Sequence, residues 1–312
     1  MKPLFCPITY EPLAPGEKYS QKGLRLLSPQ LKNLEPLPFN AEELRIEARK
    51  RAHKISIQGV QLKLSAKLSP SAGLFEITDL GGRFILKPPH ELYPEIPENE
   101  DLTMRLAKTV KIETPLHGLV YSKDGSRTYF IRRFDRIPHR QKVPLEDFAQ
   151  LAGKNRDTKY NFTMEQLIPI LDKHTTFPLL EKRELFKRTL FNYLVGNEDM
   201  HLKNFSLISR EGKVELAPAY DFLNSALVLG IDAEEIALPI AAKKRNLSRT
   251  NLVDYFALEK LALNGKDVQE MLDAFTKAKE EWKRLLDISF LSEEMKKGYL
   301  QIMENRWQRL KI

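Results

Sequence analysis

Short runs in which apolar and polar residues alternate are concentrated early in the chain, and apolar positions recurring every three to four residues take over later, which predicts strands first and helices afterwards. A helix is expected near Ala41 to Lys54, with Asn40 placed to cap it. A turn at Ser56–Gly59 then leads into an alternating run that reaches Leu68. Gly82 to Lys87 reads as a strand stopped by Pro88 and Pro89. An amphipathic helix opens at Asn99-Glu100 with Leu102, Leu106 and Val110 on one side, and Tyr129-Phe130-Ile131 is an apolar strand entering a charged turn. Ile137 to Pro144 reads as a crossing into a mainly helical remainder. Helical patterns there cover Glu146 to Leu151, Met164 to Leu171, Leu180 to Val195, Leu252 to Ala262, Gly265 to about Leu286 and Ser292 to Leu310. One hairpin interrupts them, with arms Phe205–Ile208 and Val214–Ala217 around Ser209–Lys213. Trp282 and Trp307 sit among leucines at helical spacing and are expected in the core. The pattern predicts an α+β fold of an N-terminal extension (1–54) packing on a smaller mainly β lobe (55–140), and a larger helical lobe (141–312).

The chemistry concentrates at the end of the Leu180–Val195 helix. Asp199 is followed five residues on by Asn204, and a second carboxylate, Asp221, comes after the hairpin. Protein kinases space their base and their two magnesium ligands in this way. Phosphoryl transfer asks for a carboxylate near the attacking hydroxyl, hard oxygen ligands for magnesium and cations on the phosphates. On that reading Asp199 is the base, Asn204 and Asp221 hold the metal, and Lys203 reaches the transferring group. Upstream, the backbone amides around Gly59 and the Lys63 charge suit a phosphate loop. Lys87 stands where a strand lysine grips nucleotide phosphates, and Glu100 on the next helix is placed to pair with it. Taken alone, the Asp-to-Asn spacing is equally a solvated turn, because Asp, Asn and His are common turn residues.

The order of elements is similar to one family. Ser-x-x-Gly-x-Gln-x-Lys at 56–63, Lys87, Asn99-Glu100, Arg133-Phe134-Asp135-Arg136, Glu146-Asp147-Phe148, Lys159-Tyr160, Gly196-x-x-Asp199-x-His201-x-Lys203-Asn204-Phe205-Ser206 and Ala217-Pro218-x-Tyr220-Asp221 together resemble the HipA-like serine/threonine kinases, toxins of bacterial toxin-antitoxin systems. The resemblance implies a two-lobed protein-kinase-like fold that uses ATP and Mg2+ to phosphorylate an aminoacyl-tRNA synthetase and so inhibit translation. It gives Asp199 the base role with Lys203 and Asn204 beside it, and Asn204 and Asp221 the metal. ATP falls to Gly59, Gln61, Lys63, Lys87, Arg133, Phe134, Asp135, His201 and Asp221. Ser56 is implied as the autophosphorylation site. Arg132 stands where HipA-type sequences tend to carry Glu, which implies backbone contacts to the adenine at that hinge. The sequence ahead of Ser56 is too short for the HipA N-terminal subdomain, which is similar to the short HipT type. That implies a separate small antitoxin resembling the subdomain and a helix-turn-helix DNA-binding antitoxin, and it favours the tryptophanyl over the glutamyl synthetase as substrate.

Composition narrows the remaining classes. The single cysteine, Cys6, excludes an internal disulfide framework and suits a reducing cytoplasm. No apolar run approaches a membrane span. The net charge of +8 is spread out; its densest patches, Arg45–Lys54 and Lys243-Lys244-Arg245, lack interleaved aromatics and read as solvated faces, with no direct nucleic-acid contact expected. His117, His139 and His174 are expected to cap turns or face water, and no histidine or cysteine pairing suits zinc. The competing functions are a kinase-fold binding module without catalysis and a small-molecule kinase.

Overall fold

The alternating run after Gln61 forms β1 (Leu64–Ser69), which continues through a tight turn into β2 (Leu74–Ile77). Next come β3 (Phe84–Lys87), β4 (His117–Tyr121) and β5 (Arg127–Arg132). All pair antiparallel in the order β2-β1-β3-β5-β4. The chain is described here from a computed structural model covering residues 4–51, 61–137, 142–155, 157–230 and 234–312. Ser56, Gly59 and His139 lie outside those residues. By backbone contacts the chain divides into one unit of Met1–Leu102, Pro115–Phe134 and Asp287–Leu291, and a second of Thr103–Thr114, Asp135–Leu286 and Ser292–Ile312.

In the first unit the inward faces of the strands bring together Phe75, Phe84 and Phe130, with ring centroids 5.0 to 6.2 Å apart. The same core takes in Cys6, Ile8, Tyr19, Leu24, Leu27 and Leu44 from the N-terminal segment. That segment also supplies backbone partners: the Leu119 N–H donates to Pro7 O at 3.0 Å, and the Leu37 N–H to Tyr121 O at 2.8 Å. Buried backbone groups of an edge strand need such partners. Helix Gln21–Leu27 starts at Ser20, whose Oγ accepts from the Gly23 N–H at 3.1 Å. Helix Ala41–Arg51 is closed by the expected Asn40, through a reciprocal pair of bonds with Glu43 at 2.8 and 2.9 Å.

Helix Ile96–Thr109 begins three residues before the predicted Asn99. Pro97 accounts for the difference, since proline is well suited to a first turn, where its missing N–H has no intrahelical partner. Leu102, Met104, Leu106 and Ala107 are all fully buried, so this helix hides more than the single predicted side.

In the second unit β6 (Leu145–Asp147), β7 (Ser206–Arg210) and β8 (Lys213–Leu216) form a small antiparallel sheet in the order β6-β7-β8. Glu146 and Asp147 are therefore strand, where a helix was expected. The reason is local: the Asp147 carboxylate accepts from the Gln150 N–H at 2.8 Å while Gln150 Oε1 accepts from the Asp147 N–H, a capping box that starts the helix at Phe148. The helices Leu167–His174, Pro178–Val195, Gly265–Asp287 and Glu293–Leu310 follow their predicted patterns within a few residues. Helix Thr250–Lys260 is wider than an α-helix, and at its end the Leu261 N–H reaches Phe256 O, five residues back, at 2.9 Å. Trp282 and Trp307 are buried with ring centroids 5.5 Å apart, and the Trp282 indole N–H donates to Thr109 Oγ1 at 2.7 Å. His117, by contrast, does not face water. It is buried in the first unit with Nδ1 2.9 Å from Pro115 O.

Candidate active site

Lys87 ends β3 because two prolines, which cannot continue a ladder, follow it. Its side chain is almost fully buried and is hydrogen-bonded to Glu100, itself buried on helix Ile96–Thr109; the ammonium also lies 5.4 Å from the centre of the Tyr129 ring. Two charges taken out of water require this kind of pairing. Gln61 and Lys63 sit on the approach to β1, and the Gln61 amide nitrogen is buried with no hydrogen-bond partner among the described residues.

At the turn after β5 the Arg133 N–H donates to Arg83 O at 2.9 Å, and Phe134 closes the first unit. Asp135, where the chain re-enters the second unit, is buried, and its backbone O accepts from the Val143 N–H at 3.0 Å. Arg132, the residue that departs from the HipA pattern, is used inside the first unit. Its guanidinium donates to Leu26 O at 2.7 Å and Leu27 O at 2.8 Å, at the C-terminal end of helix Gln21–Leu27, and lies over the Phe84 ring. A cation there meets both the free carbonyls and the negative end of the helix dipole.

The loop after helix Pro178–Val195 is wound on itself. Gly196 ends the helix in the left-handed region (φ 78°), where a Cβ would stand 2.6 Å from Asn224 Oδ1. The Asn197 N–H then donates to Asn192 O at 2.9 Å, and the Glu198 N–H to Ser225 Oγ at 2.7 Å. The His201 N–H donates to Asp199 O, and the Asn204 N–H to His201 O, both at 2.9 Å. Asn204 Nδ2 donates to Asp199 O at 2.8 Å, which commits the amide's donor end and leaves Oδ1 as its acceptor end. Phe205 anchors the loop by stacking on Phe148 at 5.8 Å.

Asp221 is brought to this loop by its neighbour. The Tyr220 hydroxyl donates to Lys203 O at 3.0 Å and meets Ser206 Oγ at 2.5 Å, and burial pushes its ionisation well above the ordinary tyrosine range. Phe222, fully buried, stacks on Phe191 at 5.2 Å. Between these two anchors Asp221 adopts φ 57°, a left-handed conformation tolerated by Asp and common at functional positions.

His201 is almost buried, and burial lowers its pKa, opposed by the charges of Asp199 and Asp221. The Lys159 ammonium lies 2.7 Å from His201 Nε2 and donates to it, so the ring proton falls on Nδ1, a buried atom with no hydrogen-bond partner among the described residues. Lys203 pairs with Asp147 at 3.5 Å, a contact the sequence reading missed although it singled out both motifs. Tyr160, from the Lys159-Tyr160 motif, donates its hydroxyl hydrogen bond to Asp199 Oδ1.

Among the described residues no group of three or more His, Cys, Asp or Glu side chains forms a metal cage. The arrangement suits magnesium all the same, since that ion takes one or two protein oxygens and completes its shell with phosphates and water. Asn204 Oδ1 and Asp221 are oxygen donors of that kind. Among the described residues no helix is long and apolar enough to cross a membrane.

A lysine on a strand of an antiparallel sheet, paired with a helix glutamate, and a helical unit carrying an Asp-to-Asn loop are the parts of a protein-kinase-like fold. Residues 55–282 match the family described as HipA-like C-terminal domain, and the chain belongs to that family. It is 33% identical over 259 residues to a putative kinase of Haemophilus influenzae, covering 77% of this chain and 74% of that protein. It is 32% identical to the putative kinase Y4dM of Sinorhizobium fredii, covering 72% of this chain and 56% of that one. The serine/threonine-protein kinase toxin HipA of Shewanella oneidensis is 28% identical over 190 residues, which are 55% of this chain and 43% of the toxin. The chain thus spans about half the length of these last two relatives. Among solved structures, HipA in the complex of Shewanella oneidensis HipA, HipB and operator DNA superposes with a TM-score of 0.68 at 20% identity, over 90% of this chain and 74% of that one. The Helicobacter pylori proinflammatory kinase CtkA superposes with a TM-score of 0.53 at 16% identity, over 73% of this chain and 87% of that one. The fold is the two-lobed HipA-like kinase fold, with a small β lobe and a larger helical one.

Proposed function

We propose that the chain is an ATP- and magnesium-dependent serine/threonine protein kinase acting as the toxin of a bacterial toxin-antitoxin system. The observation that carries the reading is the self-wound Asp199–Asn204 loop, to which Tyr220 ties the segment bearing Asp221. Asp199, with its carboxylate half exposed, accepts the proton of an incoming hydroxyl. Asn204 Oδ1 and Asp221 hold magnesium, Lys87 holds the nucleotide phosphates with Glu100 fixing its position, and His201 takes a place around the nucleotide. Bound ATP supplies the transferable phosphoryl group and magnesium offsets the charge on its oxygens. Lys203, steadied by Asp147, contributes a cation to the same charge.

The acceptor in this proposal is an aminoacyl-tRNA synthetase, the tryptophanyl enzyme before the glutamyl one, and Ser56 is the autophosphorylation site. The partners are a helix-turn-helix antitoxin and a small protein related to the HipA N-terminal subdomain. The family match and the HipA, HipB and operator DNA complex of the Shewanella relative support this context. The test is transfer of labelled phosphate from ATP, with magnesium, to purified synthetases and to the chain itself, with peptide mapping of the product. Asp221→Asn is expected to lose roughly 10²-fold or more of the transfer while remaining folded. Wild-type rates from Asp221→Asn would overturn the site assignment, and ATP binding without transfer to any acceptor would favour a binding module.

A further inference from the structure

The Lys159-Tyr160 pair touches the reacting loop at three points, and none of the roles assigned above uses Tyr160. Asn155 shapes the turn that presents it: Asn155 Oδ1 accepts from the Asp157 N–H at 2.9 Å and from the Thr158 N–H at 3.1 Å, and the Asn161 N–H closes on Thr158 O at 3.0 Å. From that turn Lys159 O accepts from the Leu202 N–H at 3.4 Å, and the Lys159 ammonium donates to His201 Nε2 at 2.7 Å. The Tyr160 ring stands edge-on to His201, centroids 5.0 Å apart, with the Lys159 ammonium 4.8 Å from its centre. Its hydroxyl donates to Asp199 Oδ1.

A carboxylate that is half exposed on a loop has freedom to turn about its side-chain bonds, and a base works only when one oxygen faces the acceptor hydroxyl. The loop's own hydrogen bonds at Asp199 are made by its backbone: O accepts from Asn204 Nδ2 and from the His201 N–H, and N–H donates to Asn197 Oδ1 at 3.3 Å. These fix the main chain and leave the carboxylate unfixed. Tyr160 engages one carboxylate oxygen, Oδ1, and a carboxylate has lone pairs enough to take a second donor on Oδ2. Resting on the reading of the chain as a kinase with Asp199 as its base, we infer that Tyr160 is a positioning residue: its hydroxyl holds Oδ1 so that Oδ2 is presented to the acceptor hydroxyl. The Lys159–His201 contact holds the strap that carries the phenol.

The test is Tyr160→Phe in the full chain, which removes one oxygen and keeps the ring packed on His201. A hydrogen bond to a charged group corresponds to roughly 10- to 100-fold in rate, so kcat for transfer is expected to fall by about that factor while KM for ATP and the thermal midpoint stay unchanged. In an Asp199→Asn background the same change is expected to cost less than about twofold, because the group it positions is gone. Equal losses in both backgrounds, an unchanged kcat, or a kcat that rises because the phenol was blocking the base would each overturn the inference. A crystallographic comparison separates it from the kinase reading. Asp199 should keep one rotamer in the wild-type chain and spread over two in Tyr160→Phe, whether or not transfer is detected, and one unchanged rotamer in both would sink it.

Discussion

At the scale of single residues, the buried Lys87–Glu100 pair sets a limit on how its mutants can be read. Replacing Lys87 by Met leaves a buried Glu100 carboxylate without this cation, and breaking such a pair costs about 3–5 kcal/mol. Lys87→Met is therefore expected to lose transfer and stability together. Adding Glu100→Gln should recover most of the stability, measured by denaturant unfolding, and none of the transfer. If the double variant were as unstable as the single one, the pair would not be the cause. What spacing made legible at this scale is which residues come together: Asn204 meets Asp199 across a five-residue loop, and the hairpin returns Tyr220, next to Asp221, to Lys203. Tyr160 and Asp147 were quoted as parts of motifs, yet their contacts with Asp199 and Lys203 cross roughly 40 and 56 positions, and no local pattern encodes which oxygen a distant phenol will meet.

Among the elements, helix Glu293–Leu310 is joined to the reacting loop by one ion pair. Arg306 donates to Glu198 Oε1 at 2.8 Å and to Tyr193 O at 2.7 Å, with both charged groups nearly buried. Burial raises the Glu198 pKa and Arg306 opposes the rise. The folded chain thus already holds the Glu198 proton more tightly than the unfolded chain does, and Arg306→Met removes the opposition and widens that difference. The stability deficit of that variant is expected to be fullest at neutral pH and to shrink at mildly acidic pH, as Glu198 takes up its proton. Melting temperatures of wild type and variant at the two pH values check this, and a deficit that widens on acidification would refute it. The longer helices were legible from their period, whereas Gln21–Leu27 and Ala226–Leu229 are too short to show one and were not read. The β6 strand was not, because its three residues carry no alternation long enough to read and the helix signal began one residue beyond it.

For the molecule as a whole, the sequence reading set residues 1–54 apart as an extension packing on the small lobe, and residues of that segment share a core with the five-stranded sheet. Which of its residues enter that core was not legible, because burial in common is a tertiary property and a proline-rich start has few periodic positions. That shared core has a practical use. Cys6 is the chain's sole thiol; it is fully buried, and its sulfur accepts from the Ser20 N–H at 3.2 Å. A thiol reagent can reach it only when the N-terminal segment lifts away, so the labelling half-time is a clock for that opening. Arg132→Ala deletes the two bonds that fasten the end of helix Gln21–Leu27 to β5 and should quicken labelling roughly 5- to 30-fold, the span that one or two kcal/mol allows. An unaltered half-time would mean that the segment opens elsewhere first. Because the sulfur lies in the sheet's own core, the same clock can be run with each candidate ligand or antitoxin in turn and will register any that grips the small lobe, without a phosphate ever being transferred.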